Sequence, residues 1–289
     1  MSKATLIVGQ SASPPQEIIK KYFMTMIPFT VDWAEDKKIN QKNIIREIGS
    51  EQLASASDED LPKTSHPAPW LYKKFFEEKL QNNDSVLYVA ISSKLSGAME
   101  AAQTGRGMMD EGQRSKIFIL DSESASAGEG LIAIKAAEMM REGKEVQEIM
   151  NFLTNFRSSV RVMGSVKDLK WLKAGGRIGN VSATILEQVS NLGIRPILGV
   201  KDGRLTTVEF DVSGKDYIKS LAQTIKNSLK EKRARLAISH ADNKEAAQQL
   251  ATLLAEKLND PEISFMSLMD NIISIHLGPG ALVCAWHEL

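Results

Sequence analysis

A single cysteine, Cys284, leaves no partner for an internal disulfide and excludes every multi-cysteine zinc or iron–sulfur site. It fits a reducing compartment. An excess of either charge is missing as well: 36 lysines and arginines face 36 acids, a formal charge of zero. A generic nucleic-acid coat or anionic-membrane coat needs positive charge to displace counterions, so no nucleic-acid partner is expected. No run approaches the ~18 consecutive apolar residues of a membrane span. Stable insertion is therefore not expected, which leaves only transient membrane contact open. The amino terminus carries the brief Thr5–Val8 run and not the roughly 7–15-residue apolar region of a secretory signal, so the expected location is cytoplasmic. There is no internal repeat and no low-complexity tract.

Familiar catalytic signatures are absent too. Neither Gly9–Ser13 (GQSAS) nor Ser92–Gly97 (SSKLSG) supplies the G-x-S-x-G of a hydrolase elbow. Gly214-Lys215 lacks both the earlier glycine and the following hydroxyl of a phosphate loop. Gly128-Glu129-Gly130 with Ala133 imitates a dinucleotide fingerprint, but a Ser/Glu/Ala stretch separates it from the preceding strand where a tight turn is required. His66, His240, His276 and His287 show no metal-ligand spacing. No metal and no cofactor is expected.

What is present is the composition of an ordinary globular chain, 43% hydrophobic and 25% charged. A length of 289 residues suggests two domains or one large one. In the first half, Thr5–Val8, Ile27–Val31, Val86–Ile91 and Ile117–Asp121 read as strands. Pro15–Phe23, Trp70–Leu80, Ser96–Met109 and Gly128–Arg141 carry apolar residues at helical spacing. This alternation predicts an α/β domain over residues 1–158, with a mostly parallel sheet covered by helices on both faces. A second domain, 159–289, opens with a strand at Arg161–Val166 and a short helix at Lys167–Ala174. Ile194–Val200 and Leu205–Phe210 form a hairpin about Asp202-Gly203, a strong turn signal. Helices at Lys215–Lys230 and Asn243–Leu258 flank the strand Ala234–Ser239. Ile263–Leu268, Ile272–His276 and Ala281–Ala285 read as closing strands. The second domain is thus α+β with a mixed sheet. Glu231–Arg235 (EKRAR) reads as the solvated end of a helix.

Four polar clusters sit where strands or helices should end. Thr64-Ser65-His66-Pro67 precedes a helix, and Ser92–Gly97 follows a strand. Helix capping would account for one hydroxyl in each, though not for three serines in the second. Hydroxyls at two strand ends of one parallel sheet converge on the crevice where such folds bind ligands, and the helix N-termini behind them favour an anion. Gly175-Gly176-Arg177-Ile178 reads either as a glycine C-cap or as a fixed cation aimed at a carboxylate or phosphate. His276-Leu277-Gly278-Pro279-Gly280 is a tight turn bearing a histidine.

These clusters, in this order, resemble the DegV family of bacterial fatty-acid-binding proteins. The likeness runs from Leu6–Ser11 to His276–Gly280 and includes Asp121–Ser124 with Gly128, and Ile194–Leu198 followed by Gly203. The resemblance implies two α/β domains with a long-chain fatty acid held between them, and a binding rather than an enzymatic role. It implies a carboxylate bonded by Thr64 and Ser96, with Ser65 and Ser93 in support and Arg177 and His276 near the head group. In some members the partner is a separate fatty acid kinase that phosphorylates the presented acyl chain. About 15 buried methylenes at ~0.8 kcal/mol each offer on the order of 12 kcal/mol before ordering costs. The helical stripe Val181, Ile185, Leu186 and Val189 reads as tunnel lining or as plain core. The chain departs from the family pattern at Gln10, His66 and Ala98, where aspartate, glutamine and threonine are usual. It departs again at Asp211–Gly214, where a basic stretch is usual.

Two other readings stay open at this stage. One is an enzyme on a small carboxylate or phosphate ester, using Ser93 or Ser96 with His276 as base. The other is a lipid-responsive regulator.

Overall fold

The computed structural model describes residues 3–32, 61–176, 195–211 and 216–289, without the side chains of 32, 196 and 207–211. The first half contains β1 (Ala4–Gly9), α1 (Gln16–Lys21), β2 (Thr25–Ile27), β3 (Thr30–Asp32), β4 (Lys63–Ser65), α2 (Pro69–Leu80), β5 (Ser85–Ala90), α3 (Ala98–Gly107), α4 (Glu111–Arg114), β6 (Ile117–Asp121), α5 (Ala127–Arg141) and α6 (Val146–Phe156). The second half contains β7 (Arg161–Ser165), α7 (Lys170–Ala174), β8 (Arg195–Lys201), β9 (Arg204–Asp211), α8 (Tyr217–Leu229), β10 (Ala234–His240), α9 (Lys244–Lys257), β11 (Glu262–Leu268), α10 (Asn271–Leu277) and β12 (Leu282–Glu288).

Strands β2-β1-β5-β6 form a wholly parallel sheet. All six residues of β5 are buried, as befits a central strand covered on both faces. Tyr72 and Phe76 of α2 pack with Ile7 and Tyr88 on one face, while Leu6, Leu87 and Val89 meet α5 and α6 on the other. The second sheet runs β11-β10-β12-β7-β8-β9; β10 and β11 are parallel and the other pairs antiparallel. Strands β3 and β4 pair separately as an antiparallel ribbon. The architecture is α/β with a parallel first sheet and a mixed second sheet, as the alternation and the hairpin signal predict.

Helix α5 joins the two halves. Eleven of its fifteen residues are buried, because it packs against β1 and β5 on one side and β7, β10 and β12 on the other. A helix apolar nearly all round belongs between two layers rather than on a surface. Its glycines explain the false dinucleotide fingerprint. A Cβ on Gly128 would run into Val162 of β7, and one on Gly130 would lie 2.8 Å from Phe265 of β11. The G-x-G spacing here serves close packing.

Four expectations are corrected. Ile272–His276 is helical: its β-branched run suggests a strand, but the Asp270 carboxylate accepts from Ile272 N at 3.1 Å, capping α10, and Gly278 stops the helix at φ +79°. Ile27–Val31 splits into β2 and β3, which belong to different sheets. Helix α6 has no counterpart in the sequence reading, although Val146, Ile149 and Leu153 keep helical spacing and are buried. Within EKRAR, Arg235 lies on β10 and is ion-paired with Glu138 and Glu262, while Lys232 and Arg233 remain exposed.

Candidate functional site

Between the two sheets lies a cleft of about 990 Å³ including its mouth. Its floor is one face of the second sheet. Val162, Gly164, Leu198, Val200 and Val283 alternate along β7, β8 and β12 toward the cleft, while Met163, Ile197, Leu282 and Cys284 face the other core. Gly164 keeps the floor low: an added Cβ would lie 2.6 Å from the Leu282 carbonyl and 2.8 Å from Val283 Cγ2. Phe29, Ile91, Leu95 and Ala125 supply the opposite wall, and Leu172, Ile272, Ile273 and Leu277 close one end. Cys284 faces away from the cleft, and its burial pushes the thiol well above its usual range.

Polar groups gather along this apolar surface. The lining includes Thr64, His66, Ser96, Ser126 and His276, and among the described residues it holds no carboxylate. Thr64 Oγ1 lies 2.8 Å from His276 Nε2, joining the first cluster to the last across 212 residues. His66 Nδ1 is 3.0 Å from the Pro67 carbonyl, and its ring lies against Gly97, where a Cβ would come 2.8 Å from Nε2. A Cβ on Gly175 would collide with His276 Nδ1, and one on Gly278 with the Trp171 ring. The glycines of the Gly175–Ile178 and His276–Gly280 clusters thus let α7 and α10 close around the imidazole. Ser96 Oγ accepts from Ala98 N at 3.2 Å at the start of α3.

Not every expected residue reaches the cleft. Ser65 is exposed on β4, paired with Thr30, and lies outside the lining. Ser93 also lies outside it: its hydroxyl donates to Asp121 Oδ2 at 2.5 Å and its amide to Asp121 Oδ1 at 3.2 Å. Arg177 and the Val181–Val189 stripe lie outside the described residues, as do Gly214 and Lys215. The hydroxyl beside His276 is thus that of Thr64, where the enzymatic reading had named Ser93 or Ser96.

Three features had escaped the sequence reading. Ser126, at the N-terminus of α5, is buried in the cleft wall at φ +53°, and its hydroxyl lies 2.7 Å from that of Ser239 on β10. Ser92 is fully buried and donates to the Gly203 carbonyl at 2.7 Å; Lys94 Nζ reaches the Asp202 carbonyl at 2.6 Å. The β8–β9 hairpin, which brings Val200 and Leu205 to the cleft, is thereby latched to the loop that carries Ser96. Glu129 lies behind the cleft, fully buried, with Ser11 donating to Oε2 at 2.7 Å; burial holds its carboxyl well above the usual range, despite that hydrogen bond. Only the glycines around Glu129 and the serine excess around Ser92 hinted at these roles.

Comparison with known proteins points to one family. The model of the DegV family, described as uncharacterised protein, matches residues 3–288. A DegV domain-containing protein of Clostridium acetobutylicum is 27% identical over 290 residues, 98% of each chain. One from Staphylococcus aureus is 28% identical over 285 residues, 97% of this chain and 96% of the relative. Among solved structures, a Thermotoga maritima protein said to reveal fatty acid binding function superposes with a TM-score of 0.84, at 25% identity and full coverage of both chains. A second from that organism, a DegV lipid binding protein, gives 0.83 at 26% identity and 99% of each chain.

Proposed function

This chain belongs to the DegV family, and we propose that its cleft binds a long-chain fatty acid without acting on it chemically. The observation that carries the reading is the cleft's division of labour: an apolar floor and walls, with hydroxyls and imidazoles on the same lining and Thr64 in contact with His276. A buried carboxylate forfeits its binding energy unless several donors meet it. Thr64, Ser96 and His276 supply them, and the absence of a carboxylate from the described lining spares the ligand a like charge. The fatty-acid and lipid binding ascribed to the two Thermotoga maritima structures supports the same chemistry. The two halves, 1–158 and 159–289, then act as two domains closing on the acyl chain.

The role of Arg177 as an additional cation at the head group, and presentation of that head group to a separate fatty acid kinase, belong to the same proposal and rest on the family pattern. Mass spectrometry of the purified protein, native and then after organic extraction, tests its base. A stoichiometric fatty acid, lost when Thr64 and Ser96 are both replaced by alanine, is the expected result. No lipid, and none taken up from a supplied mixture, would remove the reading and leave the Thr64–His276 pair as a candidate for chemistry on a small ester.

A further inference from the structure

We propose that His66 is a second imidazole of the carboxylate site, and that ligand binding is coupled to proton uptake at His66 Nε2. The proposal rests on the fatty-acid reading above and adds to it a residue and a pH dependence. Where the family pattern commonly has a glutamine after Thr-Ser, this chain has a titratable ring.

Geometry fixes what that ring offers. His66 lines the same cleft as Thr64, Ser96 and His276. Its Nδ1 lies 3.0 Å from the Pro67 carbonyl. A carbonyl oxygen only accepts, so Nδ1 carries the hydrogen and the neutral ring presents Nε2 as a bare acceptor. That edge faces Gly97, the residue after Ser96, where only a missing Cβ makes room for it. A neutral Nε2 can accept from a hydroxyl or a protonated acid but repels a carboxylate. Protonation converts the same atom into a charged donor beside Gly97, on a ring that shares the cleft lining with Ser96. Carboxylate binding therefore favours the imidazolium, and by linkage affinity rises as pH falls.

The titratable groups on the surrounding elements do not supply this switch. Lys63, on β4, is exposed. The Lys94 ammonium is held by the Asp202 carbonyl. Glu100 stands in the first turn of α3. His276 Nε2 is engaged with Thr64 in either tautomer. Any proton uptake by His276 is common to wild type and a His66 variant, so comparing the two isolates His66.

The test is the dissociation constant for palmitate, and for hexadecan-1-ol as its uncharged counterpart, near pH 6 and near pH 8. Wild type, His66→Gln and Gly97→Ala are compared. Because His66 is exposed, the effect is modest: palmitate binds wild type about three- to tenfold tighter at the lower pH relative to His66→Gln, and the alcohol shows no such difference. Gly97→Ala, whose Cβ displaces the ring, loses the same pH ratio while keeping the imidazole. Calorimetry in two buffers of different ionisation enthalpy shows extra proton uptake in wild type only. Equal pH ratios for palmitate in wild type and His66→Gln overturn the role of His66 and leave the fatty-acid reading standing. Failure of wild type to bind palmitate at either pH overturns both.

Discussion

At the scale of single residues, the site depends on hydroxyls whose positions are set by other groups. Thr64 is the clearest case, since it lines the cleft and its hydroxyl meets His276 Nε2. Thr64→Val keeps the shape and removes the oxygen. We expect palmitate affinity to fall about 10- to 100-fold, the range for a hydrogen bond to a charged group, with little change in thermal stability; titration calorimetry measures the first and a melting curve the second. Ser96→Ala should cost less, because its hydroxyl also serves Ala98 N. The places of Thr64, Ser96 and His276 on the cleft lining were legible through the ordered clusters of the family pattern. Ser65 and Ser93 sit in those clusters too, yet lie outside the lining. Strand alternation turns Ser65 away from Thr64, and Asp121 captures the Ser93 hydroxyl, a partner 28 residues distant that no local pattern announces.

At the scale of elements, α10 shows how a cap decides what a β-branched run becomes. Asn271–Leu277 has strand-like composition, but the Asp270 side chain seizes the Ile272 amide and fixes the first turn, so His276 reaches the cleft from a helix. Burial raises the Asp270 carboxyl from 3.8 to about 6, against the lowering pull of the Ile272 and Asn271 amides. Because the folded state holds this proton more tightly than the unfolded chain, the group's contribution to stability is full below about pH 4. It is lost as pH rises through 6, a cost on the order of 3 kcal/mol. Asp270→Asn keeps a good cap without the charge; it should match wild type near pH 4 and exceed it near pH 8 in chemical denaturation. Asp270→Ala should be about 1 kcal/mol less stable near pH 4, where only the cap is lost. The β8–β9 hairpin was legible from Asp202-Gly203 alone, whereas its docking on Ser92 and Lys94 was not, because that contact spans more than 100 residues. Gly203 sits at φ +74°, with room for a Cβ denied by Ser92 Oγ at 2.6 Å. Gly203→Ala should therefore loosen the latch and speed palmitate release several-fold in stopped-flow displacement, while helices and sheets keep their circular dichroism.

At the scale of the whole molecule, the two sheets share α5 and one continuous apolar cluster that runs from Leu6 and Val89 through Leu131 to Phe265 and Val283. Polar ties reinforce it: Ser267 donates to the Ser13 carbonyl at 2.7 Å, the Asp270 amide to Ser13 Oγ at 3.0 Å, and Arg235 binds Glu138 of α5. Periodicity within each half predicted its own layers well, but nothing local encodes which helix the halves hold in common. We expect thermal unfolding as a single transition, with calorimetric and van't Hoff enthalpies equal. Two resolved transitions would show that the halves are energetically separate. The floor and walls of the cleft are drawn from that same shared cluster, through Ile91, Val162, Leu198, Ile273 and Val283. Whatever apolar molecule fills the cleft is thus a detachable portion of the interior, and its departure lowers the cost of opening the entire fold. Proteolytic half-life should lengthen when palmitate is supplied. In a living cell the number of copies would then track lipid supply through turnover alone, with scarcity read out as disappearance of the protein rather than as an empty binding site.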